Sequence, residues 1–443
     1  MNTTHSEKEG ITMTDQMTNR LFDFIESSPT AYHTVNAVRA MLLHAGSTEL
    51  SEAGPWELSP GHGYFTARNQ SSVIAFRAPK RDFAAFSVAA PHGDSPCFKV
   101  KGSPEMDCGG LYTKLNTEVY GGTILGLWLD RPLSVAGRLA IRTGDGVRMQ
   151  LINVPRDLLS IPSLAIHMNR EANNGQKADP QRDTLPLFGG KGADLVALLA
   201  RQAGVEKDDI LSHDLYLYSR ARGTVFGANE EFIQAPRLDD LECAFSAVTA
   251  FLQSDNPENC TVCAVFDNEE TGSMTRQGAG STMLSDVIDR ICAWAGKDGT
   301  GRQLAVQNGM LLSADNAHAV HPNYPDKADP TSKCRMNGGI VVKHSTRYAT
   351  DAATAAVFKR ICEKAGVPTQ DYYNNSATPG GGTLGLISGS QVPFPTVDIG
   401  LAQLAMHSPY ETAGREDLKH MVDGMTAFYN SRLTWSGNAC TIR

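Results

Sequence analysis

A chain of 443 residues with 41% apolar and 20% charged side chains has an ordinary globular balance, and at roughly 150 residues per domain it holds two or three domains. The formal net charge is −8, from 40 Lys and Arg against 48 Asp and Glu, and the chain contains neither a basic block nor a run of about 18 apolar residues. That argues against a nucleic-acid partner and against a membrane-spanning helix.

Residues 1–17 are polar and lack the apolar core of a secretory signal, and the nine cysteines are scattered. Free thiols in a reducing cytoplasm are therefore expected. Residues 21–25 and 32–43 read as helices split by Ser28-Pro29-Thr30, with Thr30 as an N-cap. Residues 72–76 and 83–89 read as strands, the second apolar enough for a buried sheet. Between 103 and 234, short runs at 124–129, 137–142 and 147–154 are punctuated by Gly and Asp, which predicts hairpins. A polar loop at 171–187 and a helix near 193–202 follow. From 235 onward strands and helices alternate. Strands are expected at 261–266, 310–313, 340–342 and 396–399, and helices from 241, at 282–294, 353–363 and 416–433.

The expected fold is α/β, a mixed sheet flanked by helices. It is built from residues 1–102 and 235–443 and interrupted by a β-rich insertion at 103–234.

Chemistry collects at strand ends. The 83–89 strand leads into Ala90-Pro91-His92-Gly93-Asp94, where a histidine can ligate a metal and an acid two residues on can hold its other N–H. Asp239 and Asp240 open a helix, where acids also serve as plain caps, so one of the two fits that structural role. Glu269 and Glu270 follow the 261–266 strand; side chains of adjacent residues diverge, so one can bind a metal while the other contacts its water. A cation would also relieve their repulsion. Asp315, His318 and His321 follow the 310–313 strand, and His407 follows 396–399.

Each residue alone has a structural explanation. Together they form an ordered set along one edge of an open sheet. Histidines and carboxylates without thiolates suit zinc, or manganese or cobalt, in a hydrolytic site. Five ligands exceed one catalytic zinc and fit two metals that share a carboxylate. Cys260 and Cys263 lie inside a strand and read as core, and Gly380-Gly381-Gly382 lacks a Walker lysine and reads as a wall of the site.

The phrases APHGDSPCFKVKG, EFIQAPRLDDL, FDNEETGS, SADNAHAVHPNYPDK and QLAMHSPYETAG, after the opening LFDFIESSPTAYHTV, resemble those of the aspartyl aminopeptidase family of dinuclear zinc peptidases. They occur in the same order and span nearly the whole chain. The resemblance implies that His92, Asp239 and Asp315 hold one zinc, and that Asp239 bridges to a second held by Glu270 and His407. It implies that Asp94 orients His92 and that Glu269 is the general base. It implies dimers built by the insertion and assembled into a dodecamer, with His167, in LAIHMNRE, reaching a neighbouring subunit's active site.

The resemblance also implies a peptide substrate with an acidic N-terminal residue, Asp or Glu. Lys343 is the candidate cation to receive it, with Tyr348 as a hydrogen-bond donor; the plain alternative for Lys343 is a surface lysine. The stretch TGSMTRQGAGS after Glu270 and the short 343–348 segment depart from the family and bear on substrate preference, not on the metals. Other classes stay open: a related dinuclear hydrolase of aminoacylase or carboxypeptidase type, a broad-specificity aminopeptidase, and a non-catalytic assembly protein. The last should have lost ligands or the base.

Overall fold

The computed structural model describes residues 13–175, 177–378 and 380–443. The first 12 residues of the polar leader, Gln176 of the 171–187 loop and Pro379 beside the glycine-rich loop lie outside the described residues. Among the described residues no helix is long and apolar enough to cross a membrane.

The largest sheet has nine strands. Its middle consists of four parallel strands, in the order Cys260–Val265, Phe86–Ala90, Met310–Ala314 and Thr396–Gly400. Every residue in those four is buried, which is why they are apolar runs without alternation. Ser72–Arg77, Gly63–Arg68 and Thr48–Glu49 extend one side, and Ile340–His344 with Thr369–Tyr373 the other.

Helices cover both faces. Met13–Ser27, Ala31–His44, Leu238–Gln253, Ala352–Ala365 and Arg415–Asn430 share one core, while Met283–Ala295 and Gly299–Gln307 pack in another. Met17, Leu21, Phe24 and Ile25 form the buried stripe of the first helix, with the spacing a helix requires. Ala352–Ala365 has clear ends. The Asp351 side chain accepts from the Thr354 N–H, and Gly366 closes the last turn at φ 69°.

The second sheet has six antiparallel strands, in the order Gly146–Asn153, Leu133–Thr143, Ile210–Ser219, Cys97–Cys108, Tyr112–Tyr120 and Leu187–Gly190. All lie between the Phe86–Ala90 strand and the Leu238–Gln253 helix, so this sheet interrupts the α/β unit. Leu139, Ile141, Leu215 and Leu217 pack with Leu195 and Leu199 of the Leu195–Ala203 helix to form its own core.

A third sheet was not anticipated. It joins Thr224–Phe226, Phe232–Ala235, Glu411–Gly414, Ala402–Leu404 and Ala317–His318. These strands are too short for a period to register, and two of the pairings that join them link segments distant in sequence.

Three local expectations need correction. Residues 124–129 are not a strand: Leu125–Trp128 is a 3₁₀ turn, held by the Trp128 indole N–H on Thr123 Oγ1 at 2.6 Å. Thr30 occupies the N-cap position, but its hydroxyl bonds the His33 ring at 2.9 Å instead of a backbone N–H. The last helix ends at Asn430, and Leu433–Ser436 pairs with Ala439–Ile442 as a hairpin.

Arg138 stitches the two larger sheets together. Its guanidinium donates to the Asn69 carbonyl at 2.7 Å and Asp214 Oδ2 at 3.0 Å, and lies 4.3 Å from the Tyr32 ring centroid. Arg138→Ala should lower stability in urea unfolding by about 1–2 kcal/mol, because the Asn69 carbonyl loses its donor while the half-buried Asp214 keeps Lys99 at 3.5 Å. Arg138→Lys should recover less than half of that, since a single ammonium cannot span both acceptors and the ring.

Candidate metal centre

The four parallel strands end side by side, and the residues just beyond them converge. His92 follows Phe86–Ala90, and Glu269 and Glu270 sit in a 3₁₀ turn after Cys260–Val265. Asp315 follows Met310–Ala314, and His407 lies in the loop before Glu411–Gly414. Asp239 comes from the start of Leu238–Gln253, where residues 239 and 240 leave helical geometry.

The two histidines are held in the same way. His407 Nδ1 is 3.2 Å from the Gly122 carbonyl, and its Nε2 faces Asp239 Oδ2 at 3.5 Å and Glu270 Oε2 at 3.6 Å. His92 Nδ1 is 3.2 Å from the Asp94 carbonyl and 3.3 Å from Asp94 Oδ1. Its Nε2 faces Asp239 Oδ1 at 3.5 Å and Asp315 Oδ1 at 3.8 Å. A carbonyl only accepts, so in the neutral ring Nδ1 keeps the proton and Nε2 is free to bind. Asp239 turns one oxygen toward each histidine.

Two observations fit a bound cation. Asp239 Oδ1 and Glu270 Oε1 are buried without a hydrogen-bond donor, an arrangement that is costly in a protein interior. The ligand atoms of His92, Asp239, Asp240 and Asp315 lie within 4.8 Å of one another, and so do those of Asp239, Glu270 and His407. An oxygen-and-imidazole donor set of this kind suits zinc, manganese or cobalt.

The electrostatics carry the same message. Burial, reinforced by Asp315, Asp94 and Asp239 and opposed by His92, pushes the Glu269 carboxyl up to about 7. Burial and Asp239 raise Glu270 well above the usual range. Burial lowers His407, but the bond to and charge of Asp239, with the Gly122 carbonyl and the Glu411 charge, together outweigh it and lift the ring to about 9. Without a cation this cluster holds protons; a metal would reverse that preference.

Surrounding groups fix the ligands. Asp94 Oδ1 and Oδ2 accept the N–H groups of Glu269 and Glu270, each at 3.2 Å, and Oδ2 also accepts the Tyr120 hydroxyl at 2.7 Å. Asp240 does not cap the helix; its Oδ2 accepts the His92 N–H at 3.2 Å. Glu411, given no role by the sequence, accepts the Asp239 N–H at 2.9 Å and the His407 N–H at 2.7 Å. Its only sequence signal is its position four residues after His407, in His-Ser-Pro-Tyr-Glu.

Lys343 is not a surface lysine. It is 2% exposed, and its Nζ donates to Asp315 Oδ2 at 3.1 Å and to the Asn316 carbonyl at 3.0 Å. The Tyr348 ring centroid lies 5.4 Å from that ammonium. His318 keeps contact with solvent but is near enough to feel Lys343, Asp239, Asp315 and His407, and partial desolvation with the Lys343 charge lowers its basicity. His167 stands apart. It is exposed in a turn between Gly146–Asn153 and Leu187–Gly190, and its side chain has no hydrogen-bond partner among the described residues.

Comparison with known proteins places the chain in a family. The sequence model of the Aminopeptidase I zinc metalloprotease family (M18) matches residues 24–429. The Clostridium acetobutylicum protein named "Probable M18 family aminopeptidase 2" is 41% identical over 423 residues, covering 93% of this chain and 98% of the relative. A namesake from Ectopseudomonas mendocina is 39% identical, over 95% and 99% of the two chains. Among solved structures, a chain of the Ape4 and Nbr1 complex superposes with a TM-score of 0.90 at 32% identity, over 94% of this chain and 86% of that one. The S. cerevisiae mApe1 dodecamer gives 0.81 at 28% identity, over 93% and 96%. With the family model spanning most of the sequence, the chain belongs to the M18 family of zinc aminopeptidases.

Proposed function

We propose that this aminopeptidase removes acidic N-terminal residues, Asp or Glu, from peptides at a centre of two zinc ions per subunit. His92, Asp239 and Asp315 would hold one ion, and Asp239, Glu270 and His407 the other. The observation that carries this reading is the Asp239 carboxylate, whose two oxygens face two different histidines at 3.5 Å each.

When bound, the two ions lower the pKa of a water molecule and polarise the scissile carbonyl. The rest is the work of the chain. Asp94 keeps His92 oriented through Nδ1. Glu269, whose neighbour Glu270 turns toward His407, takes the proton of the attacking water and returns it to the leaving amine. Lys343 spends two of its three N–H bonds on Asp315 and Asn316. The third, with the Tyr348 hydroxyl, would receive the acidic side chain of the substrate. His167 would donate to the developing oxyanion in a neighbouring subunit's site.

This last role agrees with the dodecamer described for the S. cerevisiae relative. We extend that assembly to this chain, through dimers built by the insertion at 103–234 between catalytic parts 1–102 and 235–443. A cytoplasmic location fits nine cysteines that are all free thiols.

The roles of the adjacent carboxylates separate by metal content. Glu269→Gln should keep two metals per chain and lose at least roughly 10²-fold in kcat. Glu270→Gln should lose metal together with activity, as elemental analysis would show; the opposite pattern would exchange the two assignments.

Specificity is tested by initial rates on a panel of aminoacyl substrates, with metal content checked in parallel because Lys343 also holds Asp315. Asp and Glu substrates should lead for the wild type, and Lys343→Met should penalise them far more than Leu or Ala substrates. Equal losses across the panel would remove Lys343 from the pocket.

Subunit mixing tests the shared site. His167→Ala and Glu269→Gln assemblies should each be nearly inactive, and a sizeable fraction of activity should return when the two co-assemble. Mixed assemblies, verified with differential tags, that stay as inactive as their parents would restrict His167 to its own module.

A further inference from the structure

We infer that residues 120–124, which end one strand of the inserted sheet and form the turn after it, are the outer support of the second metal site. Affinity for that metal then depends on how the inserted sheet packs. The inference rests on the two-zinc reading.

Five consecutive residues touch the site in succession. The Tyr120 hydroxyl donates to Asp94 Oδ2 at 2.7 Å and accepts from the side chain of Asn268, the residue before Glu269, at 2.9 Å. Gly121, at φ 70°, lies so close that a Cβ there would stand 3.0 Å from Glu270 Cβ. The Gly122 carbonyl fixes His407 Nδ1 at 3.2 Å, and a Cβ on Gly122 would meet that nitrogen at 3.2 Å. The Thr123 hydroxyl and the Ile124 N–H both donate to the His407 carbonyl, at 3.3 and 3.1 Å.

His407 needs this support. Its backbone sits at φ 67°, a region that non-glycine residues occupy only when their surroundings over-determine them. Glu411 holds its N–H from one side, and the inserted sheet holds its carbonyl and ring from the other. Partners of this kind fix the tautomer and aim of a ligating imidazole without contacting the metal. None of the five residues offers a charged group, so they are positioning residues. A Cβ at Gly121 or Gly122 would press on Glu270 or His407, which would have to shift by a few tenths of an ångström to make room.

The test is zinc competition against a chelating dye, on the full-length protein stripped of metal. The wild type should release two resolvable binding steps. Gly122→Ala should weaken one step by roughly 10- to 100-fold and leave the other unchanged. Thr123→Val should shift the same step in the same direction, and Thr123→Ser should restore it. Thr123→Val also takes the acceptor from the Trp128 indole, so its metal-free melting temperature should fall, whereas Trp128→Phe, which loses that bond but keeps the Thr123 hydroxyl on His407, should leave both zinc steps at wild-type strength. Should Gly122→Ala fail to fold, the Val and Ser pair at Thr123 decides alone. Two steps of wild-type strength in the folded Gly122→Ala and Thr123→Val variants, or equal weakening of both steps, would overturn the inference. A single step in the wild type would overturn the two-zinc reading itself, and this inference with it.

Discussion

Asp94, Asp239, Asp240, Asp315, Glu269 and Glu270 crowd into one small region, and their charges repel unless cations or hydrogen-bond donors compensate. Most of the local structure follows from that constraint. Asp94 is met by two backbone N–H groups and a tyrosine hydroxyl, Asp240 by the His92 N–H, and Asp315 by the Lys343 ammonium. Asp239 and Glu270 keep oxygens that no donor meets. The Asp239 oxygen sits opposite His92 Nε2, and the other oxygen of Glu270 faces His407 Nε2, so a divalent cation held there would supply the missing charge.

The fold makes such crowding affordable. Four fully buried parallel strands bring chain segments from residues 86 to 400 to one edge, and their backbone bonding leaves only the strand ends open to chemistry. The short third sheet holds Glu411 next to the loop of His407 and carries His318 at its far edge. The inserted sheet contributes through Tyr120 and the turn behind it, so it is part of the site as well as a module with its own core. Arg138 secures that relation mechanically through Asn69, Asp214 and Tyr32.

Within the sequence, the four central strands and the helices around them were legible because their burial produces long apolar runs and helical stripes. His92, Glu269, Glu270, Asp315 and His407 stand beyond strands and Asp239 opens a helix, and folding brings these six side chains together. The 3₁₀ turn at Leu125–Trp128 misread as a strand because four consecutive residues carry too little periodicity to choose between forms. The third sheet was invisible for the same reason, compounded by pairings between distant segments.

The sequence by itself determined the chemistry available: which residues can bind a metal, which can move a proton, and in what order they leave the sheet. Only the tertiary structure decided what holds them. Glu411 and Gly121-Gly122 carry no signal of their own in the sequence, and Lys343 offers only a cation, until folding brings them against Asp239, Asp315, Glu270 and His407. Periodicity and residue type are local properties of the chain. Support of a ligand is a contact across hundreds of residues, and it exists only once the core has set the distance between them.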